Sequence, residues 1–435
     1  MTLSVNEIAY NTVYKVIGKH PVDGRLFAVK YDNTNGLYVV DRDLNLVTTL
    51  STTFNNSDYY NYGYGINECI ILSSGTMLAW GSYRTGKNQT VMWRSTDNSY
   101  STFEPVFSLP TTIGFIERSV GYSTIDDTIM CCEYTMVGKD GKTNLWLDPQ
   151  QLNIWRGSND GQTWEVVFTR NRNPQFVGDI EKIRHFHSVR YDSFANLFWF
   201  CAGDANVENT IWTITPDGLT VNLIAQGTAD YSSQEKRTTS FIFTENYVWW
   251  GSDSFITGQH PFSRYDRQTG LIEYLMEPDD CIRISESITR LNGETALIAN
   301  KSYEKSPTNI GYTSDLYVCD DLTTGVWYSL FKWSVANQND VSVFFQLVDN
   351  EDGRIFIDCR NIVDGTGTNR KRITAIVDIN DYEKTLSAYT DAGILKYPLY
   401  LDSTGDKEGM KINYGEVYVV GTKELTGGEI GIKTP

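Results

Sequence analysis

The sequence predicts an all-β chain folded as a seven-bladed β-propeller of four-stranded antiparallel blades. Three observations carry this: a strand-turn-strand phrase that recurs along the chain, a second hairpin that recurs in phase with it, and an aromatic-rich composition without helical periodicity. Self-similarity is read first because it decides how the chain is divided.

The phrase opens as Trp93-Arg94-Ser95-Thr96-Asp97-Asn98 and ends Thr102-Phe103-Glu104-Pro105-Val106-Phe107; it returns from Trp155-Arg156-Gly157-Ser158-Asn159-Asp160-Gly161 through Thr163-Trp164-Glu165-Val166-Val167-Phe168. Weaker copies begin at Leu37-Tyr38-Val39-Val40-Asp41, Ile211-Trp212-Thr213-Ile214, Ser263-Arg264-Tyr265-Asp266, Leu316-Tyr317-Val318-Cys319-Asp320 and Thr374-Ala375-Ile376-Val377-Asp378. Anchors at 38, 93, 155, 212, 265, 317 and 375 are spaced by 55, 62, 57, 53, 52 and 58 residues, which gives seven copies. The repeat is a little longer than the roughly 40 to 50 residues of common propeller blades.

A second hairpin lies between these copies. Ser119-Val120-Gly121-Tyr122 leads through Asp126-Asp127 to Ile129-Met130-Cys131-Cys132-Glu133, and Ser188-Val189-Arg190-Tyr191 leads to Phe198-Trp199-Phe200-Cys201. Thr239 to Gly251 and Val343 to Ile357 repeat the pattern. Two hairpins make one four-stranded blade. Single hairpins bury too little surface to stand alone, so blades must pack radially and close. The first and last units are the least regular, which keeps six or eight blades as alternatives. Residues 1–435 are read as one domain, with a loop and a closing strand in 401–435 (Glu416-Val417-Tyr418-Val419-Val420). The 13% aromatic content, with 11 Trp and 27 Tyr, suits half-buried pleated strands. Only short stretches such as Gly178 to Arg184 suit a helical turn.

The net charge of −17 argues against nucleic acid as a partner and disfavours anionic membrane surfaces. Seven cysteines without CxxC spacing, mostly inside strand patterns, read as buried thiols rather than a disulfide framework or zinc site. The N-terminal segment lacks a basic stretch followed by an apolar run, so folding in a reducing cytoplasm without a signal peptide is expected. No cofactor is implied.

The two clearest copies resemble Asp-boxes, the bacterial neuraminidase repeats of sialidase-like propellers, with the pattern Ser-x-Asp-x-Gly-x-Thr-Trp. The first copy keeps Ser95 and Asp97, with Ser99 and Ser101 in place of the glycine and threonine; the second keeps Gly161, Thr163 and Trp164, with Gly157 and Asn159 in place of the serine and aspartate. The resemblance implies a turn closed by side-chain hydrogen bonds to backbone and a tryptophan packed between blade layers. It implies fold more than function, since the motif is a structural turn. The Arg-Ile-Pro motif of the sialidases is missing and seven blades departs from their six, so sialidase activity is not expected.

Function in propellers gathers where inner strands begin and second strands end. That rule collects Arg118, Glu133, His185, His187, Asp204, Arg237, Asp253 and Arg360, of which Arg118, His185, His187, Asp204, Arg237 and Asp253 are the candidate binding residues. The Gly203-Asp204 strand end and Trp250-Gly251-Ser252-Asp253 resemble repeat propellers of phage and bacterial proteins. Strand alternation points His185 and His187 to one face and Phe186 to the other. Two imidazoles beside Asp204 suit a metal, acid–base work or hydrogen bonds to sugar hydroxyls; a metal needs a third ligand, from Asp204 or Asp253. Alternatively, these groups satisfy one another around a water-filled channel. Tyr59, Tyr60, Tyr62 and Tyr64 suit stacking on sugar rings.

The expected function is a glycan-binding or structural propeller of a phage virion, in the tail or fibre apparatus, contacting host surface polysaccharide. Its partners would be that glycan and other virion proteins in a multi-copy assembly, and its location the virion, extracellular after lysis. The alternative is a polysaccharide lyase, with His187 or Tyr231 as base and Arg237 neutralising a uronate, or a glycoside hydrolase using Asp204 and Asp253. A third class is a cytosolic interaction platform.

Overall fold

A computed structural model describes residues 5–11, 13–31, 36–51, 66–81, 90–109, 113–116, 118–135, 151–172, 182–203, 206–228, 235–253, 262–276, 283–292, 295–301, 312–319, 328–335, 354–363 and 369–379. The described chain is almost entirely antiparallel sheet. After β1 (Val5–Asn11), a four-stranded meander contains β2 (Tyr14–Lys19), β3 (Leu26–Lys30), β4 (Leu37–Val40) and β5 (Leu46–Ser51). A second holds β6 (Ile66–Ile71), β7 (Met77–Gly81), β8 (Val91–Ser95) and β9 (Phe103–Ser108). The third contains β10 (Val120–Ser123), β11 (Thr128–Cys132), β12 (Gln151–Ser158) and β13 (Thr163–Arg172), extended by β14 (Lys182–Ile183), which pairs parallel to β13. Part of the segment suited to a helical turn is thus a short edge strand.

The fourth sheet has β15 (Phe186–Asp192), β16 (Leu197–Ala202), β17 (Thr210–Ile214) and β18 (Val221–Gln226). The fifth has β19 (Ile242–Phe243), β20 (Tyr247–Trp250), β21 (Phe262–Asp266) and β22 (Ile272–Met276). Then come β23 (Arg283–Asn292), β24 (Thr295–Lys301), β25 (Tyr312–Cys319), β26 (Tyr328–Val335), β27 (Arg354–Val363) and β28 (Asn369–Ile379). These join β1 in the order β1-β28-β27-β26-β25-β24-β23. Each of the seven sequence anchors lies in a strand, namely β4, β8, β12, β17, β21, β25 and β28. The closing strand anticipated in 401–435 lies outside the described residues; the edge of β28 is covered instead by β1, from Val5↔Ile379 to Asn11↔Thr374.

Where side chains are described, the sheets pack face to face in chain order through apolar layers. Tyr14, Val16, Ala28 and Tyr38 of the first sheet pack with Phe356 and Ile376 of the last. Ile17, Phe27, Leu37 and Val39 pack with Ile66, Met77 and Ala79 of the second. A larger core joins Leu78, Trp80 and Met92 to Met130, Leu152 and Ile154, and on to Phe186, Phe198 and Phe200. Trp199, Cys201 and Ile211 then meet Phe241, Val248 and Trp250. Burying such a side chain contributes about 1.5–3 kcal/mol, so these inter-sheet layers dominate stability.

First strands of neighbouring sheets lie against each other: β2 by β6, β10 by β15 and β19 by β23. Glycine permits the approach. A Cβ on Gly121 would stand 3.1 Å from the Val189 carbonyl oxygen, and one on Gly18 would stand 3.2 Å from that of Cys69.

Polar groups stitch the sheets at their outer turns. The Asp97 carboxylate accepts the N–H groups of Ser99 (2.8 Å), Ser101 (3.2 Å) and Thr102 (3.2 Å), and hydroxyl bonds led by Ser99 hold it well below the ordinary carboxylate range. Ser95 Oγ instead accepts the Met77 N–H of β7. In the second copy Asn159, Asp160 and Gly161 have φ of 53°, 54° and 75°, and Trp164 stacks on Phe107 of the preceding sheet at 4.7 Å. Arg94 Nε donates to the Asp160 carbonyl at 3.1 Å, and Arg156 Nε to that of Pro216 at 2.8 Å, so equivalent arginines each reach the turn of the next sheet.

The seam between the last and first sheets is polar as well as apolar. Lys15 Nζ lies 3.6 Å from Asp358 Oδ2, both side chains buried. Tyr31 Oη donates to Asp358 Oδ1 at 2.9 Å, and Thr374 Oγ1 donates to the Tyr14 carbonyl at 2.8 Å. Asp358→Asn strands the buried ammonium and is expected to cost about 3–5 kcal/mol in urea unfolding, whereas Lys15→Met combined with Asp358→Leu costs less than that single change.

Candidate functional site

In an antiparallel meander the start of the first strand and the end of the second lie at one end of the sheet. Arg118 precedes β10, and Glu133, Tyr134 and Thr135 follow β11. Arg184 and His185 precede β15, Arg237 and Thr238 precede β19, and Asp253 follows β20. Main-chain bonds fix these segments together: Val189 N–H donates to the Arg118 carbonyl (3.1 Å), Phe186 N–H to that of Glu133 (3.2 Å), Gly203 N–H to that of His185 (3.2 Å), and Asp253 N–H to that of Arg237 (2.6 Å). Arg118, His185 and Arg237 thus lie where the first strands of three consecutive sheets begin, all at one rim.

The two histidine rings meet. Pairing shifts between Phe186↔Ala202 and Ser188↔Cys201, so His187 is the bulged residue of β15, and a bulge re-aims the side chain it carries. Their Nε2 atoms are 2.9 Å apart. His185 Nδ1 lies 2.9 Å from the Thr135 carbonyl oxygen and His187 Nδ1 2.9 Å from that of Thr238. Cys201 Sγ also reaches the Thr238 carbonyl, at 3.2 Å. The Tyr134 ring stacks on His185 at 4.1 Å. Both imidazoles are buried.

Carboxylates lie at the same rim. Glu133 accepts Asn153 N–H (2.8 Å), Asn153 Nδ2 (3.2 Å) and Trp155 Nε1 (2.7 Å). Its burial raises it above the ordinary glutamate range against those donors. Glu208 Oε2 accepts the Arg184 N–H at 3.1 Å, and Asp253 Oδ2 pairs with Arg237 at 3.3 Å. Nearer the first strands, burial lowers Arg190, with Glu68 opposing and Arg118 adding to the shift. Burial pushes the Cys132 thiol up to about 12 and raises Cys131 and Cys201 well above the ordinary range, so these buried thiols stay protonated.

The structure therefore brings Arg118, His185, His187, Arg237 and Asp253 to one rim. Asp204 lies outside the described residues, as do Tyr231 and the tyrosines of 59–64; Arg360 lies in β27, its side chain outside them. The sequence reading missed Thr135 and Thr238, which act through backbone carbonyls that leave no residue-type signal. It also missed Tyr134, which follows the Glu133 it had placed. Among the described residues no group of three or more His, Cys, Asp and Glu side chains could hold a metal ion. No helix among them is long and apolar enough to cross a membrane.

Because the folded state raises Glu133, it keeps a proton that the unfolded chain loses near pH 4.3, so this group lowers stability as pH climbs from there through its raised value. Glu133→Gln should flatten that part of the profile. It also sets an amide N–H against the Asn153 and Trp155 donors, and is expected to cost about 1–3 kcal/mol at neutral pH in urea unfolding across a pH series.

No protein-family model matches this chain, and no curated protein does. Among solved structures it is similar to two of oligogalacturonate lyase, one in complex with manganese and one from Vibrio parahaemolyticus. Each is 12% identical with a TM-score of 0.53, covering 87% of this chain and 93% of theirs. It is also similar to a prolyl endopeptidase structure at 10% identity and a TM-score of 0.51, over 85% of this chain and 50% of that one. These likenesses show the fold: a propeller-like all-β architecture.

Proposed function

We propose that this chain is a seven-bladed propeller of the Asp-box type whose rim binds an acidic polysaccharide, as part of the tail or fibre apparatus of a phage virion contacting the host surface. The blade count rests on the anchors and on the weakness of the join within the seven-stranded sheet. There β26 meets β27 through Val335↔Ile362 alone, dividing it into β23–β26 and a unit of β27, β28 and β1. The Asp97 turn and the Trp164 packing support the Asp-box reading.

One observation carries the binding reading. In a protein of net charge −17, Arg118, Arg184 and Arg237 gather at one rim of three consecutive sheets. A concentration of donors and positive charge against that background suits carboxylate-bearing sugars. Catalysis is the second reading, and the geometry weighs against it. His187 has Nδ1 engaged by the Thr238 carbonyl and Nε2 by His185, which leaves no nitrogen poised to abstract a proton, and Asp253 is held by Arg237.

Purified protein is tested on immobilised uronic-acid and neutral polysaccharides, with ultraviolet absorbance recorded for unsaturated product. Retention on the acidic glycans without turnover is expected, weakening as salt rises. Arg118→Gln and Arg237→Gln should each weaken it about tenfold, some 1.4 kcal/mol, with neutral glycans unaffected. Product formation would make the chain a lyase, and absence of retention would remove the glycan. Flanking genes for tail or capsid components test the virion setting.

A further inference from the structure

Arg190 stands on the first strand of the fourth sheet with most of its donors unspent. That strand, β15, begins at the rim with Phe186, and Arg190 lies further in, one residue beyond Val189, whose N–H is bonded to the Arg118 carbonyl. The Ser119 carbonyl accepts the Cys132 N–H of β11, so by strand alternation the next carbonyl, that of Val120, points off the open edge of β10. Arg190 Nη1 donates to that oxygen at 3.1 Å. The guanidinium is therefore held where the first strands of the third and fourth sheets meet, inside the rim. Gly121 keeps that approach open, since a Cβ there would stand 3.3 Å from the Arg190 Cα.

A guanidinium has five donors, and its Nε–H and the adjacent Nη2–H form a fork that takes a carboxylate through two parallel bonds. In Arg190 the Val120 carbonyl occupies Nη1 and leaves that fork unengaged by any described group. The side chain is only partly buried, and neither fork nitrogen is sealed from solvent. Among the described residues no carboxylate pairs with it. Burial acts most strongly against its charge; the field of Glu68 opposes that effect and the field of Arg118 adds to it. Cys132 and Cys201 stay protonated and bring no negative charge. An arginine does not escape by losing its proton, so a desolvated one gains from an anion that replaces the lost water.

We propose that Arg190 is the centre of a carboxylate-binding site inside the rim, gripping the anion through Nε and Nη2 while the Val120 carbonyl holds the other side of the guanidinium. The site does not depend on the glycan reading, which supplies one source of the carboxylate, a uronate of the polysaccharide. A free small carboxylic acid is the other source.

The test uses the full chain carrying ¹⁵N-labelled arginine, titrated separately with glucuronate, acetate and glucose. The Nε–H signal of Arg190 is identified by its loss in Arg190→Lys. Both carboxylates should shift that signal to saturation, and glucose should leave it in place. Tighter binding of glucuronate than of acetate assigns the carboxylate to a sugar, and equal binding assigns it to a free acid; either supports the site. In Arg190→Gln the glucuronate affinity, read by calorimetry, should fall about tenfold or more. A native Nε–H signal that neither carboxylate moves, or a glucuronate affinity unchanged in Arg190→Gln, would overturn the proposal. Polysaccharide retention is recorded in parallel, so the rim reading and this site stand or fall separately.

Discussion

An unpaired sheet edge is a liability, and at β28 it is met by bringing the two ends of the described chain together. β1 covers the edge of β28, while the first sheet packs its Tyr14 and Val16 face on Phe356 and Ile376 of the last. Main-chain hydrogen bonds and an apolar layer thus close the same seam from two directions, with Lys15 and Asp358 buried inside it. The first strands come close together, so that a Cβ at position 18 or 121 would crowd a carbonyl oxygen of the neighbouring strand. The arrangement also fixes which loops share a rim.

The site follows from that arrangement. Residues far apart in sequence, such as Thr135, His187 and Thr238, meet because each begins or ends a strand at the same end of consecutive sheets. The bulge at His187 then turns one imidazole toward the other. Here the chemistry is dominated by hydrogen-bond satisfaction in a buried setting, where an unmatched polar group costs more than a matched one contributes.

Much of the fold was legible in the sequence because strand periodicity and turn chemistry are local. Trp93, Trp155 and Trp212 marked equivalent strands, and the Asp97 and Gly161 turns sat between them as spacing required. What could not be read was contributed by backbone or by distant partners. The carbonyls of Thr135 and Thr238 carry no side-chain signature, and the covering of β28 by β1 joins the two ends of the described chain, where no local pattern reaches. The parallel strand β14 was read as a helical turn because two residues are too few to show a period.

The closure itself admits a direct test. Ala9 and Ile376 stand opposite each other in the β1–β28 ladder, within the Cα separation a disulfide spans, and among the described thiols Cys69, Cys131, Cys132 and Cys201 are buried. In the chain carrying Ala9→Cys and Ile376→Cys, mild oxidation of the folded protein should form a cross-link within one molecule, detected by mass spectrometry of the peptides. Failure to cross-link, or cross-links found only between molecules, would contradict the closed arrangement on which the shared rim depends.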